Sequence, residues 1–220
     1  DQFAIMMGKE HHVMMLDCRT RLYQHIKAEI PGCRWLLINT KVKHQLIDSD
    51  YNSRAEECRK AVDIICKSYP EVRSLRDVVL EMLSGINLPA LLLKRALFVI
   101  DENRRVHEMR DALKNMDATH AGILLKASHH GLRYDYDVSC AELDHLADFA
   151  NQDERIHGAR MMGGGFGGCV ICLAKEEFLS SFEKDVLQSY NDQFGFPPDI
   201  IEFVLHDGVA EVATADSGNA

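Results

Sequence analysis

The stretch Gly-Ala-Arg-Met-Met-Gly-Gly-Gly-Phe-Gly-Gly-Cys-Val-Ile-Cys-Leu occupies residues 158–173. Five of the fourteen glycines of the chain lie within six of its positions, 163–168. Glycine loses more conformational freedom on folding than any other residue, so this cluster indicates that the backbone itself has a role. Three roles fit it: a phosphate cradle, a nicotinamide-binding turn, or a tight bend that supports another site.

The residues after the cluster argue against the first two roles. Gly163, Gly165 and Gly168 satisfy the pattern G-x-G-x-x-G, but a dinucleotide-binding turn must open a helix, and the following Cys-Val-Ile-Cys-Leu is β-prone. A P-loop requires Lys and then Ser or Thr after its last glycine, whereas Gly168 is followed by Cys169. The pattern therefore predicts a bend into a strand, where glycine permits positive φ and the close approach of another backbone or a ligand.

The composition limits the classes of partner. The chain has 220 residues, of which 46% are hydrophobic and 27% charged, and its net charge is −9. This acidic balance argues against nucleic acid or an anionic membrane surface as the main partner. No apolar run is long enough to span a bilayer, so we expect no membrane partner.

The cysteines do not form a disulfide framework. Seven is an odd number, and no secretory signal is visible, so we interpret them as reduced thiols of a cytoplasmic protein. Cys169 and Cys172 have C-x-x-C spacing, but an offset of three in a strand places them on opposite faces. We therefore predict buried strand cysteines rather than a redox or metal pair. The eleven histidines have no zinc-like spacing with a third ligand, so we expect no metal site in the chain.

Apolar periodicity predicts helices mixed with a few strands, an α+β architecture. We expect strands at 12–17 and 35–40 in one sheet, with further strands at 170–173 and 200–205 and helices at 75–83 and 176–194. Capping boxes at Ser53 and Ser139, Pro89 at a first turn, and Asp117 as an N-cap predict four more helix starts. The basic pairs 94–95 and 104–105 are expected on a solvated helix face. Asp135 and Asp137 are interpreted as part of a capped helix approach rather than a cation site.

Four stretches in the same order resemble the galactokinase branch of the GHMP small-molecule kinases. They are the glycine-rich stretch 158–169; Asp1-Gln2-Phe3 with Gly8-Lys9 and Leu16-Asp17-Cys18-Arg19; Asn39 to Tyr51 with Arg54, Glu56, Glu57 and Cys58; and Tyr136-Asp137-Val138-Ser139-Cys140-Ala141-Glu142-Leu143-Asp144. The last departs from the family at Ala141, where proline is usual. Together these stretches extend the resemblance over essentially the whole chain.

The resemblance implies roles for particular residues. Asp1 matches the catalytic aspartate of the family, which contacts the sugar hydroxyl, and Tyr51 matches a sugar-contacting tyrosine. Without the resemblance, Asp1 is only a solvated terminal residue, and Tyr51 is a loop residue that covers a helix end. The glycine motif, which comprises Gly163, Gly164, Gly165, Phe166, Gly167 and Gly168, is expected to line and support the active-site cleft.

The resemblance also implies a domain plan. Residues 1–40 are expected to end a GHMP-kinase N-terminal domain, and residues 41–220 to form the C-terminal domain, a ferredoxin-like fold with helices on an antiparallel sheet. The start, Asp1 to Gly8, resembles the middle of a helix, and we expect the natural protein to extend upstream. The family's sugar-recognition segment, its phosphate loop for ATP and its acidic Mg²⁺ ligand are all expected before Asp1. The chain alone is therefore expected to be inactive.

The implied activity is ATP-dependent phosphorylation of galactose at its anomeric hydroxyl. Two alternatives stay open. One is a related sugar kinase that acts on N-acetylgalactosamine or arabinose, because the sugar-selecting residues lie mostly upstream. The other is a non-catalytic galactose- and ATP-sensing regulator, against which the intact Asp1 argues mildly. The expected partners are a small sugar, ATP and the missing N-terminal half of the same protein.

Overall fold

The computed structural model describes residues 2–43 and 47–209, and of residues 43 and 47–51 it describes only the backbone. Contacts divide the chain into one unit formed by Ile30–Phe203 and another formed by the described parts of Asp1–Glu29 and Val204–Ala220. The assignment of family domains to 1–40 and 41–220 stays a prediction. The contacts themselves divide at residue 30 instead of 40, because the strand at 33–43 pairs within the larger unit.

The smaller unit is built around a hairpin. Its helix α1 spans Gln2–Met7, and strands β1 (His12–Leu16) and β2 (Tyr23–Lys27) pair antiparallel. The segment after residue 203 joins this hairpin, since the His11 amide donates to the Leu205 carbonyl oxygen at 3.0 Å. The expected helix at the start of the chain is thus present.

A four-stranded antiparallel sheet forms the centre of the larger unit. Its strands are β3 (Cys33–Lys43), β4 (Ile156–Met161), β5 (Gly167–Lys175) and β6 (Asp199–Glu202), in the order β4-β5-β3-β6. With the helices between them, these strands have the βαββαβ succession and strand order of a ferredoxin-like fold. The predicted α+β class is confirmed. The predicted shared sheet for 12–17 and 35–40 is wrong, because β1 pairs with β2 whereas β3 pairs with β5 and β6.

Five longer helices surround the sheet or extend from it. They are α2 (Ile47–Ile65), α3 (Ala90–Lys114), α4 (Ala118–His130), α5 (Ala141–Gln152) and α6 (Leu179–Phe194), with 3₁₀ helices at Leu75–Asp77, Leu80–Leu83 and Glu176–Phe178 and a π-helical segment at Gly131–Tyr136. Two predicted starts are confirmed. Pro89 precedes α3, and the Asp117 side chain accepts the amide of His120 at 2.9 Å, as an N-cap does.

Three other predictions about helices are wrong. Ser53 does not begin a helix, because α2 already starts at Ile47. Ser139 does not cap α5: Cys140 is the residue before it, and the Ser139 hydroxyl instead donates to Asp144 at 2.6 Å. The predicted helix at 75–83 is two separate 3₁₀ helices, although the amide of Ser74 does donate to Asp77 at 3.0 Å.

Among the residues that the structure describes, two hydrophobic clusters stabilise the larger unit. One lies between the sheet and helices α5 and α6, where Phe182, Val186 and Tyr190 are fully buried at four-residue spacing along α6. The other lies between α2, the 3₁₀ segments and α3, and Val99 is packed against both clusters. Burial of each large apolar side chain contributes about 1.5–3 kcal/mol, so these faces hold the helices in place. Within residues 2–43 and 47–209, no helix is long and apolar enough to cross a membrane.

Candidate active site around the glycine turn

The glycine turn, residues 162–168, joins β4 to β5. The amide of Met162 donates to the carbonyl oxygen of Cys169 at 2.8 Å and closes the turn. The backbone has positive φ at Gly163, Gly165, Phe166, Gly167 and Gly168. The predicted bend between strands is therefore confirmed, and the residues that follow form β5 rather than the helix that a dinucleotide site requires.

Gly165 makes the closest approach in this turn. Its φ is +89°, and a Cβ built on it would lie 2.0 Å from the carbonyl oxygen of Val138. The next amide, that of Phe166, donates to the same oxygen at 2.8 Å. A side chain at residue 165 would thus separate the turn from residue 138, so this glycine is required by a close backbone contact.

The partner of the turn is a short segment, residues 135–138, which we call the acceptor segment. It runs from the end of the π-helical segment, through Asp137 in the left-handed conformation (φ 59°, ψ 55°), to the buried Val138. The carbonyl oxygen of Leu132 accepts the amides of both Asp137 and Val138. The left-handed residue directs the Val138 carbonyl towards the glycine turn.

Two arginines contact the acceptor segment, and one glutamate links them. Arg54 in α2 and Arg95 in α3 donate to its carbonyl oxygens, and Glu57 accepts from both arginines. The prediction that the pairs 94–95 and 104–105 are solvated is wrong for Arg95 and Arg105, whose side chains are 4% and 12% exposed. The second residue of each pair faces inward because helical neighbours point about 100° apart.

The carboxylates of the acceptor segment have cationic partners. Asp137 Oδ2 lies 2.8 Å from Arg54 Nη2, and Asp135 Oδ1 lies 3.9 Å from Lys94 Nζ. The interpretation of these aspartates as part of a capped helix approach fits Asp137, which is the C-cap residue of the π-helical segment. It missed their ion pairs: the Asp137 carboxylate pairs with the two arginines, whereas that of Asp135 pairs with Lys94.

Thr40 fixes the other end of the glycine turn. Its buried hydroxyl donates to the Gly168 carbonyl oxygen at 2.8 Å, and its own carbonyl oxygen accepts the Tyr190 hydroxyl at 2.9 Å. The register between β3 and β5 shifts between Asn39 and Lys43, where Lys41 has φ 60°. This bulge lies near the end of β3, which continues to Lys43 and pairs there with Gly167.

Arg160 and His129 anchor the strand before the turn. Arg160 donates to the Met161 carbonyl oxygen at 2.8 Å and to the Ser128 hydroxyl at 3.0 Å, and burial lowers its pKa. The Met161 amide donates to Nδ1 of the buried His129 at 3.2 Å. Because Nδ1 accepts, the neutral ring carries its proton on Nε2, which lies 3.5 Å from Asp144 Oδ1.

Asp144 remains ionised in this setting. Burial raises its pKa, but the nearby His129 ring, the hydroxyl of Ser139, which donates to it, and the positive charge of Arg133 outweigh that effect, so the pKa is lowered overall. A carboxylate with several donors is stabilised in its charged form. Asp144 thereby connects α5 to the helix and strand that precede the glycine turn.

The described residues contain no group of three or more His, Cys, Asp or Glu side chains that could hold a metal ion. The expectation that the magnesium ligands lie upstream of Asp1 stays a prediction. All seven cysteines are free, as predicted. Cys172 is fully buried and burial raises its pKa to about 12, while Cys169 is partly exposed.

The site residues inferred from the sequence are only partly placed by the structure. Asp1 lies outside the described residues. Tyr51 lies in α2, and its side chain is not described. Sequence reasoning missed Val138 and Thr40 as partners of the glycine turn, and it quoted Arg54 without giving it a role. The signal for Arg54 was its position three residues after Tyr51.

With this geometry in place, the chain can be compared with known proteins. Residues 109–192 match the family described as GHMP kinases C terminal. The matched range contains β4, the glycine turn and β5, whereas β3 and β6 of the same sheet lie outside it.

Over nearly its whole length, the chain is similar to galactokinases. The galactokinase of Thermosipho africanus is 39% identical over 212 residues, which are 96% of this chain and 58% of that protein. The galactokinase of Bacillus subtilis is 35% identical over 215 residues, which are 96% of this chain and 55% of that protein. The crystal structure of Lactococcus lactis galactokinase complexed with galactose matches with a TM-score of 0.89 and 33% identity, over 96% of this chain and 55% of that one. The chain thus spans little more than half the length of these relatives.

Proposed function

We propose that the protein containing this chain is a galactokinase, which transfers the γ-phosphoryl group of ATP to the anomeric hydroxyl of galactose. The observation that carries the proposal is the similarity to galactokinases over 96% of the chain, including one whose structure contains galactose. Phosphoryl transfer relies on positioning and charge stabilisation rather than on covalent chemistry by the protein. A backbone turn held by fixed contacts suits that requirement.

The resemblance supports a role for each site residue. Asp1 accepts or orients the proton of the anomeric hydroxyl, which is more acidic than that of an ordinary alcohol. Acid–base assistance of this kind contributes about 10²–10⁴-fold. Tyr51 forms a hydrogen bond with a sugar hydroxyl, and residues 163–168 line the cleft. ATP and Mg²⁺ are held mainly by residues upstream of this chain, which the N-terminal half of the same protein supplies. The seven free cysteines support a cytoplasmic location.

The test is a kinase assay of the full-length gene product with ATP, Mg²⁺ and a panel of galactose, N-acetylgalactosamine and arabinose. We expect turnover of galactose and a loss of about 10²-fold or more in Asp1→Ala. Asp192→Ala, which removes an exposed carboxylate of α6, is the control and should retain activity.

Each alternative has its own outcome. Preference for another sugar identifies a related kinase, and binding of galactose and ATP without turnover identifies a sensor; both contradict the proposal. An Asp1→Ala variant with full activity refutes the assignment of the base. The 220-residue chain by itself should not phosphorylate galactose.

A further inference from the structure

Arg54 donates to two backbone oxygens and to one carboxylate of the acceptor segment. Its Nε donates to the carbonyl oxygen of Tyr136 at 2.8 Å, and its Nη2 donates to the carbonyl oxygen of Asp137 at 3.1 Å and to Asp137 Oδ2 at 2.8 Å. The side chain is only 13% exposed. A planar guanidinium suits this arrangement because its donors have a fixed geometry that lysine cannot reproduce.

Arg95 in α3 also donates to the acceptor segment, and Glu57 links Arg95 to Arg54. Arg95 Nη1 donates to the carbonyl oxygen of Asp135 at 2.5 Å, and its Nε donates to Glu57 Oε2 at 2.7 Å. Glu57 Oε1 lies 3.4 Å from Arg54 Nη1. Three successive carbonyl oxygens, 135–137, thus accept from arginines that share one partly buried carboxylate. Removing one arginine takes a charged partner from Glu57 and a donor from the acceptor segment, so each contact helps to fix the others.

The acceptor segment connects the two arginines to the glycine turn through its backbone. Asp137 is left-handed, a conformation that a residue other than glycine keeps only when its surroundings hold it. The next carbonyl, that of Val138, accepts the Phe166 amide and touches Gly165. The contacts therefore run from α2 through Asp137 and Val138 into the turn.

The same helix carries Tyr51. Tyr51 and Arg54 are three residues apart in α2, which is close to one helical turn. The residue expected to contact the sugar and the residue that holds the acceptor segment therefore move together as one rigid piece of helix.

We infer that Arg54 is a positioning residue, which fixes the glycine turn relative to the part of α2 that carries Tyr51. This inference rests on the proposed function for its effect on the sugar. Arg54 is not required to touch a substrate. It acts through the backbone of residues 136–138.

The kinetic test compares Arg54→Lys with Arg155→Lys in the full-length protein. Arg155 is a suitable control because it also forms a partly buried ion-pair network, with Asp153 and Asp185, but at the other end of β4 from the turn. We expect Arg54→Lys to raise KM for galactose by about tenfold or more through misplacement of the turn, with a smaller change in kcat. The thermal unfolding midpoints of the two variants should agree. An unchanged KM, or an equal rise in the control, overturns the inference.

A second readout does not depend on activity. Hydrogen–deuterium exchange of peptides covering 162–168 reports the Phe166 amide, and a peptide over 170–175 reports β5. Arg54→Lys should speed exchange at Phe166 by about tenfold, the effect of one lost hydrogen bond, and leave 170–175 unchanged.

Asp137→Asn is a control for the exchange experiment, because it changes only the carboxylate that contacts Arg54. Asparagine tolerates the left-handed conformation and leaves the carbonyl contacts of residues 136 and 137 in place, so exchange at Phe166 should stay close to that of the wild type. Unchanged exchange in Arg54→Lys overturns the coupling even if the protein phosphorylates galactose. Faster exchange in a protein that phosphorylates no sugar retains the coupling and refutes only the proposed function.

Discussion

Gly158 in β4 packs directly against Gly122 in α4, with the backbones of strand and helix in contact. A Cβ on Gly158 would lie 2.2 Å from the carbonyl oxygen of Gly122, and a Cβ on Gly122 would lie 2.2 Å from that of His157. Helix and strand therefore pack with no side chain between them. The strand that leads into the glycine turn rests directly on α4.

Gly158→Ala should destabilise the protein by about 1–3 kcal/mol, because the added methyl group forces helix and strand apart. Urea unfolding of the full-length protein measures the change. Gln193→Ala, an exposed substitution in α6, is the control and should stay within about 0.5 kcal/mol of the wild type. A Gly158 variant as stable as this control would show that the crossing can open without cost.

Gly165→Ala and Gly163→Ala form a matched pair in the glycine turn. Both positions have positive φ, but only at Gly165 does a Cβ meet another backbone; at Gly163 nothing lies within 4 Å. We expect Gly165→Ala to lower kcat/KM about ten- to hundredfold and Gly163→Ala to lower it less, because only the first displaces the turn from Val138. Equal losses in a steady-state assay would show that backbone strain alone matters.

Tyr190→Phe should lower the free energy of unfolding by about 1 kcal/mol, because it removes the hydrogen bond to the carbonyl oxygen of Thr40. Equilibrium denaturation measures the loss. Tyr134→Phe, at a half-exposed ring, controls for the removal of a phenol hydroxyl. Equal stability of the two variants would mean that the Thr40 carbonyl finds another donor.

Tyr190 should also make the stability of the protein depend on pH. Burial raises the pKa of Tyr190 from its usual value near 10 to about 12, so the folded state keeps its proton where the unfolded chain loses it. The contribution of the protonated Tyr190 to the free energy of unfolding is therefore complete below pH 10 and is lost as the pH rises towards 12. The stability difference between wild type and Tyr190→Phe should shrink across that range. A constant difference would contradict the raised pKa.

Thiol labelling should distinguish the cysteines by burial. Burial raises the pKa of Cys172 to about 12 and that of Cys140 to about 11, so both are protonated and unreactive at pH 8. Cys18 is exposed and should react first with iodoacetamide. Mass spectrometry of the labelled peptides gives the order. Early labelling of Cys172 would contradict the packing of β5.

The helix starts show what local sequence determines. Pro89 and Asp117 mark real starts because each acts within its own first turn. Ser53 and Ser139 match the same patterns, yet Ser53 lies inside α2 and the hydroxyl of Ser139 turns to Asp144. Both failures are local: α2 already begins at Ile47, before Ser53, and Asp144 lies within the first turns of the helix that Ser139 was expected to cap.

The candidate site also has one part that the local sequence predicts and another that it does not. The positive φ values of the turn were predictable, because glycine spacing and the β-prone residues after it describe the local backbone. Val138 and Thr40 were not, since they meet the turn from 28 and 128 residues away in the chain. Arg95 was assigned to solvent because a charge on a helix normally faces water, and only the packing of α2 against α3 buries it.

The inner position of β3 affects how the larger unit is made during synthesis. β3 ends at Lys43, but its partners β5 and β6 begin at Gly167 and Asp199. Strand pairing over such separations is slow because a long loop must close first. The nascent chain therefore carries an unpaired central strand until more than 120 further residues have left the ribosome, and a chaperone has most to shield in that interval.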